Sequence, residues 1–148
     1  RCKKEAVLVK SQNAQIEFKA VDLKSDKNIL VHSIWNDDPC ATKPSSTPYG
    51  INVVLSDMNV TGDLLHEDTG RAMWITLNST TLKGAIVNGN VVMDKGSKWI
   101  ATRDSSVIFL TDVDLAQIDA IQGTTITVQG VQAAEYDLAS GGKLKIVK

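Results

Sequence analysis

The densest cluster of reactive side chains in this 148-residue sequence is His66, Glu67, Asp68 and Arg71, within the run Leu65-His66-Glu67-Asp68-Thr69-Gly70-Arg71. Carboxylates beside an imidazole and a guanidinium are the residue types that acid–base cleavage of a polysaccharide uses. That chemistry also needs a cleft and convergent side chains, which a single polar run does not supply. The four residues therefore read first as a solvated corner and second as a catalytic site. Other chemistries find less support. His32 and His66 stand 34 residues apart, and neither has the spacing of a zinc ligand. Asp112, Asp114 and Asp119 offer oxygen ligands, but the glycine and terminal glutamate of an EF-type calcium loop are missing, as is the Gly-Gly-x-Gly-x-Asp repeat of calcium β-rolls. No Gly-x-Ser-x-Gly nucleophile elbow occurs. Ser140-Gly141-Gly142-Lys143 puts glycines before a lysine, yet a strand pattern follows where a phosphate loop requires a helix. Nothing in the sequence calls for a cofactor or a metal.

Tryptophans are the other residues of interest. Trp74 is out of phase with Met73, Ile75 and Leu77, which turns it toward solvent, where it either stacks on a sugar ring or covers a neighbouring loop. Trp99 shares its phase with Leu82 and Val60 and belongs inside. Cys2 and Cys40 fit one disulfide tying the N-terminus to a Pro-rich loop, which contributes about 3–4 kcal/mol in the chain-entropy model. Two unrelated thiols are the other reading. The sequons Asn59-Val60-Thr61 and Asn78-Ser79-Thr80 mark Asn59 and Asn78 for N-glycosylation, although corners rich in Asn, Ser and Thr generate such triplets by chance.

The elements that position these residues repeat. Val53 to Leu64 (VVLSDMNVTGDL) and Ile75 to Ile86 (ITLNSTTLKGAI) match in pattern at an offset of 22 residues, with Val53, Leu55, Val60, Gly62 and Leu64 falling on Ile75, Leu77, Leu82, Gly84 and Ile86. Each unit reads strand, corner, strand. A looser third copy runs from Val91 to Arg103, with Val91 and Met93 in its first strand, Asp94-Lys95-Gly96 at the corner, and Trp99 and Ala101 in its second. The polar run 65–71 separates copies one and two, and Val87-Asn88-Gly89-Asn90 separates two and three. Repeats near 20 residues with β-branched strands and Asn/Asp/Gly corners predict an all-β chain folded as a parallel β-solenoid. The general rule for parallel crossovers makes it right-handed.

The remaining segments fit this frame. Residues 6–34 contain short apolar stretches, among them Val7-Leu8-Val9, Ile16-Glu17-Phe18, Val21-Asp22-Leu23 and Ile29-Leu30-Val31, too closely spaced for βαβ units. Residues 36–50 hold all three prolines and read as a surface loop thrown out of the coil. The clearest repeat core is 51–110. Asp112 to Gln122 fits either a short helix or further coil, and 124–148 holds terminal strands, Thr124 to Val128 being wholly β-branched. Lysines alternating through Lys143-Leu144-Lys145-Ile146-Val147 predict a guarded open edge near the end of the stack.

Composition narrows the partners. Sixteen basic and seventeen acidic residues leave a net charge of −1, without the basic field that nucleic acid or an anionic membrane attracts. No apolar run approaches the roughly 20 residues of a membrane span. Apolar residues at 43% predict one folded domain of 148 residues and argue against disorder. A start at Arg1-Cys2-Lys3-Lys4 suggests a processed or excised piece of a longer protein.

The stretches Val60-Thr61-Gly62-Asp63-Leu64, Leu82-Lys83-Gly84-Ala85-Ile86, Met93-Asp94-Lys95-Gly96-Ser97-Lys98-Trp99, Thr102-Arg103-Asp104-Ser105-Ser106-Val107, Ile118-Asp119-Ala120 and Tyr136-Asp137-Leu138-Ala139-Ser140-Gly141-Gly142 resemble secreted and cell-surface bacterial right-handed β-helix proteins. More loosely they resemble β-helical autotransporter passengers. The resemblance runs from about residue 6 onward and rests on corner and stacking motifs. It implies a right-handed parallel β-helix in an exported setting and brings no catalytic residues with it. Three functions follow as expectations. The first is a non-enzymatic, adhesin-like segment presenting a face to a glycan or a surface protein. The second is a polysaccharide-active enzyme, or an inactive relative of one, using His66, Glu67, Asp68 and Arg71. The third is a structural stalk whose ends stack on other coils.

Overall fold

The computed structural model describes residues 3–42 and 50–148. The chain is all-β. Its strands are β1 (Val7–Lys10), β2 (Ala14–Lys19), β3 (Ile29–Ile34), β4 (Ile51–Ser56), β5 (Asn59–Thr61), β6 (Asp63–His66), β7 (Met73–Asn78), β8 (Thr81–Lys83), β9 (Ile86–Met93), β10 (Lys98–Ala101), β11 (Ser105–Leu110), β12 (Ile118–Ala120), β13 (Thr125–Gln129), β14 (Ala134–Asp137) and β15 (Lys143–Val147). A 3-10 turn, Leu115–Gln117, is the longest helical element among the described residues.

The strands form three ladders. The first runs β1-β3-β6-β9-β11-β13-β15-β14, the second β2-β4-β7-β9, and the third β5-β8-β10-β12. Strand β9 is long enough to serve two of them: Ile86 and Val87 pair with β6, and Asn90 to Met93 with β7. Among the named strands pairing is parallel except between β14 and β15. A parallel neighbour cannot be reached by a tight hairpin, and here the intervening chain is itself strand, spent on the other two ladders. This topology is compatible with a β-solenoid.

The 22-residue repeat is the step between adjacent strands. Val53 pairs with Ile75, Leu55 with Leu77, Val60 with Leu82 and Leu64 with Ile86. The third copy continues the rows, Ile75 with Val91 and Leu82 with Trp99. Side chains alternate across a strand, so one register places Val53, Leu55, Ile75, Leu77, Leu82 and Trp99 in the interior, each 0% exposed. These residues join Val31, Leu64 and Ile86 of the first ladder in one core between the three ladders.

The turn out of the second ladder is built the same way in successive passes. Lys19, Ser56 and Asn78 lie in register, and the residues after them, Ala20, Asp57 and Ser79, have φ of 52°, 55° and 46°. This left-handed conformation costs a non-glycine residue roughly 1–2 kcal/mol and bends the chain sharply without lengthening it. Close approach between passes shows at Gly84, where a Cβ would lie 2.0 Å from the carbonyl oxygen of Gly62.

Three expectations are corrected, and one left open is resolved. Val87-Asn88-Gly89-Asn90 is not a separate corner; it lies inside β9, which bends at Asn88 through a φ of 58°. Val21-Asp22-Leu23 forms no strand, and the chain there crosses in irregular conformation toward β3. The ambiguous 112–122 segment resolves into the 3-10 turn followed by β12. The terminal lysines do not guard an open edge: Lys143 and Lys145 lie opposite Asp137 and Glu135 of antiparallel β14, and Lys143 pairs with Glu135 at 2.5 Å. Pro44 and Pro48 of the predicted loop lie outside the described residues. Its described base is fastened by hydrogen bonds from Gln12 Nε2 to the Cys40 carbonyl (2.6 Å), from the Thr42 amide to the Ser11 carbonyl (2.8 Å) and from Thr42 Oγ1 to Gln12 Oε1 (2.7 Å).

Candidate functional site

The corner between β6 and β7 is folded in upon itself. His66, the last residue of β6, is 1% exposed. Its Nε2–H donates to the Arg71 carbonyl at 2.7 Å, so its Nδ1 accepts from the Ser33 hydroxyl at 2.9 Å. Burial pushes the imidazole below its ordinary value, against the raising effects of the Arg71 carbonyl and the Asp68 charge. Asp68 and Arg71, whose side chains are each 2% exposed, form an ion pair at 2.9 Å from Nε to Oδ2. The rest of the Arg71 guanidinium donates to the Thr42 carbonyl and sits 6.0 Å from the centre of the Trp35 ring. Glu67 points elsewhere, accepting from His32 Nε2 at 2.7 Å, while His32 Nδ1 meets Glu5 at 3.3 Å.

The corner is therefore solvated at Glu67, Thr69 and Gly70 and closed at His66, Asp68 and Arg71, and it is not an open site. His66, Asp68 and Arg71 are consumed in holding residues 66–71 against β3 and the base of the 36–50 segment, and Glu67 is turned away from them. What the sequence could not show is the direction of Arg71: its partners, Asp68, Thr42 and Trp35, are brought together only by tertiary structure.

The outer face of the second ladder is chemically different. One row across it reads Gln15, Asn52, Trp74, Asn90 and Phe109, in register through four successive pairings. Trp74 is 39% exposed and Phe109 43%. Their rings meet at 5.8 Å and 53° across the intervening Asn90, which is 6% exposed and donates through Nδ2 to the Met73 carbonyl at 3.1 Å. The next row reads Glu17, Val54, Thr76 and Val92. The result is a strip of two tilted aromatic rings with amides and a hydroxyl alongside and the exposed Glu17 carboxylate at its β2 edge, where Gln15 Nε2 donates to it at 3.3 Å. Phe109 was not singled out from sequence, because it lies 35 residues from Trp74 and only the register of β7, β9 and β11 makes them neighbours.

The other named residues are placed as follows. Asn59 is exposed on β5, whereas Asn78 is half-buried and Thr80 of its sequon is buried, its single hydroxyl proton shared between the Leu55 and Asn78 carbonyls at 3.0 and 2.9 Å. Cys40 is an exposed free thiol, so the expected bridge is not formed there; Cys2 lies outside the described residues. Asp112, Asp114 and Asp119 do not converge: the first two are exposed, and Asp119 is buried beneath Ser140. Burial opposes the Asp119 charge, but hydrogen bonds from Ser140 and the Ala120 amide hold its carboxyl below the usual carboxylate range. No cluster of three or more His, Cys, Asp or Glu residues suited to a metal occurs among the described residues. No helix there is long and apolar enough to cross a membrane.

Comparison of the chain with known protein families, curated proteins and solved structures returns no match.

Proposed function

We propose that this chain is a right-handed parallel β-helix segment of a secreted or cell-surface protein, and that it binds a glycan, without catalysis, on the outer face of the second ladder. The observation that carries the reading is the solvent-facing Trp74–Phe109 pair in a row with Asn52 and Gln15. Sugar rings present apolar C–H faces edged with hydroxyls, and a strip of aromatic rings beside amides complements both. The strip lies on a sheet held rigid by the core, so binding orders few loops. The closed corner at 66–71 adds weight, because the residues best suited to cleaving a glycan are occupied in holding the fold.

The test is a glycan-array screen of the 148-residue chain beside Trp74→Ala and Phe109→Ala, with melting curves for all three. Loss of a stacking ring worth about 1.5 kcal/mol weakens binding about tenfold. Specific binding weakened in both variants, with the fold intact, is the expected result. Absence of binding to every glycan, or binding that survives both substitutions undiminished, overturns the reading.

A further inference from the structure

The two ends of the layered stack differ from its middle in a way that specifies a partner. In the row Ile16, Val53, Ile75, Val91 and in the row Phe18, Leu55, Leu77, the members of β4, β7 and β9 are 0% exposed, whereas Ile16 and Phe18 of β2 are only partly buried. Residue type does not explain this. Among the described residues, Ile16 and Phe18 have a layer on one side alone, that of β4. The other end shows the same deficit. Leu110, in register with Val91, is partly buried. It borders a groove of about 370 Å³ lined also by Leu115, Ile118, Val128 and Ile146, which continues past Tyr136 and Val131. Tyr136 is 40% exposed and Val131 93%.

Charge distinguishes the ends. Residues 3–34 carry six Lys against four Asp and Glu, a net of +2, and residues 105–148 carry five Asp and Glu against three Lys, a net of −2. Opposite fields on two apolar surfaces favour unlike ends meeting and penalise like ends.

We infer that copies of this chain associate head to tail, the β2 end of one seating on the β11–β13–β15 end of the next. A second copy supplies to Ile16 and Phe18 the layer that Val53 and Leu55 already have. Because β14 closes the edge of β15 in antiparallel pairing, the contact on that side is side-chain packing and not extension of the first ladder. Such a contact is heterologous and unclosed, so it propagates into short linear assemblies. This inference rests on the layer topology and the charge distribution and is independent of glycan binding.

Sedimentation velocity over a concentration series tests it. The expected result is a sedimentation coefficient that rises with concentration, with association weakened about tenfold when salt is raised from about 0.05 to 0.5 M, because the steering charges are screened. Phe18→Glu at the head and Tyr136→Lys at the tail are each expected to be monomeric alone, and to form a one-to-one complex and nothing larger when mixed, since the mixture restores a single intact head and tail. Should Phe18→Glu fail to fold, Lys19→Glu, at an exposed position of β2, weakens association in the same direction. A monomer at all concentrations, self-association that persists in either folded variant, or no complex on mixing overturns the proposal.

Discussion

Asp68→Asn is expected to be among the most destabilising polar substitutions in the chain. The mutation keeps the shape of the side chain and removes its charge, leaving the Arg71 guanidinium 2% exposed with the Thr42 carbonyl and the Trp35 ring as neighbours. Breaking one side of a buried pair costs about 3–5 kcal/mol, because a charge stays in a poorly solvating place. Folded domains are stable by only about 5–15 kcal/mol. At about 2–4 °C per kcal/mol for a chain of this size, melting falls by roughly 6–20 °C. Removing both charges together relieves most of that loss, so Asp68→Leu/Arg71→Met is expected to lie within about 2 kcal/mol of the parent chain. Urea titrations of the parent, Asp68→Asn, Asp68→Leu, Arg71→Met and the double variant measure both quantities. A cost below about 1 kcal/mol for Asp68→Asn, as exposed pairs give, would refute the closed corner. So would a double variant as unstable as the sum of its parts.

Two further outcomes follow from the same packing. Burial holds the folded imidazole of His66 below its ordinary value of 6.5, so the unfolded chain takes up the proton first. The resulting stability is complete above about 6.5 and is lost as pH falls from there through the lower folded value. Urea midpoints measured between about pH 7.5 and 5 should decline in the parent and flatten in His66→Gln; equal slopes would argue against a buried neutral ring. The carboxyls of Glu5, Asp94, Asp119 and Glu135 are all held below their ordinary values of 3.8 to 4.5, so their stabilisation is lost lower down, and the two windows separate. Gly84→Ala drives a methyl group against the Gly62 carbonyl at 2.0 Å, whereas at Gly123 nothing lies within 4 Å and only a φ of 79° opposes a side chain. Gly84→Ala is expected to abolish folding or cost more than about 3 kcal/mol, and Gly123→Ala to cost about 1 kcal/mol. Similar losses at the two positions in thermal melts would contradict the spacing between passes.

The rows of the core were legible because they depend on period alone. Val53, Val60 and Leu64 find their counterparts by counting 22 residues, and Trp99 announces its place by sharing phase with Leu82. What the sequence hides is whatever depends on direction or distant pairing. Asp68 and Arg71 look like solvated corner residues until the Thr42 carbonyl arrives from the base of the 36–50 segment. Lys143 and Lys145 look like guards of a free edge because the antiparallel return of β14 leaves no periodic mark. Asn88 and Gly89 suggest a break, yet a single left-handed residue bends β9 while keeping it paired on both sides of the bend. Trp74 could be turned outward by phase alone, but its partner Phe109 required the register of two later strands.

The left-handed residues at Ala20, Asp57 and Ser79 have an evolutionary consequence. Because the chain leaves β2, β4 and β7 through left-handed residues at equivalent points, and Ile51 to Leu64 stands in register with Met73 to Ile86, a duplication of that 22-residue unit is expected to add one in-register strand to each ladder. The new rows pair above and below with residues of the same size, and neither end of the stack is altered. Gene-level growth or shrinkage by whole units changes the length of the aromatic face in steps of one strand, about 4.8 Å, while insertions of any other length throw Val53 and its neighbours out of their rows. Selection can tune the reach of this chain in discrete increments without redesigning its core.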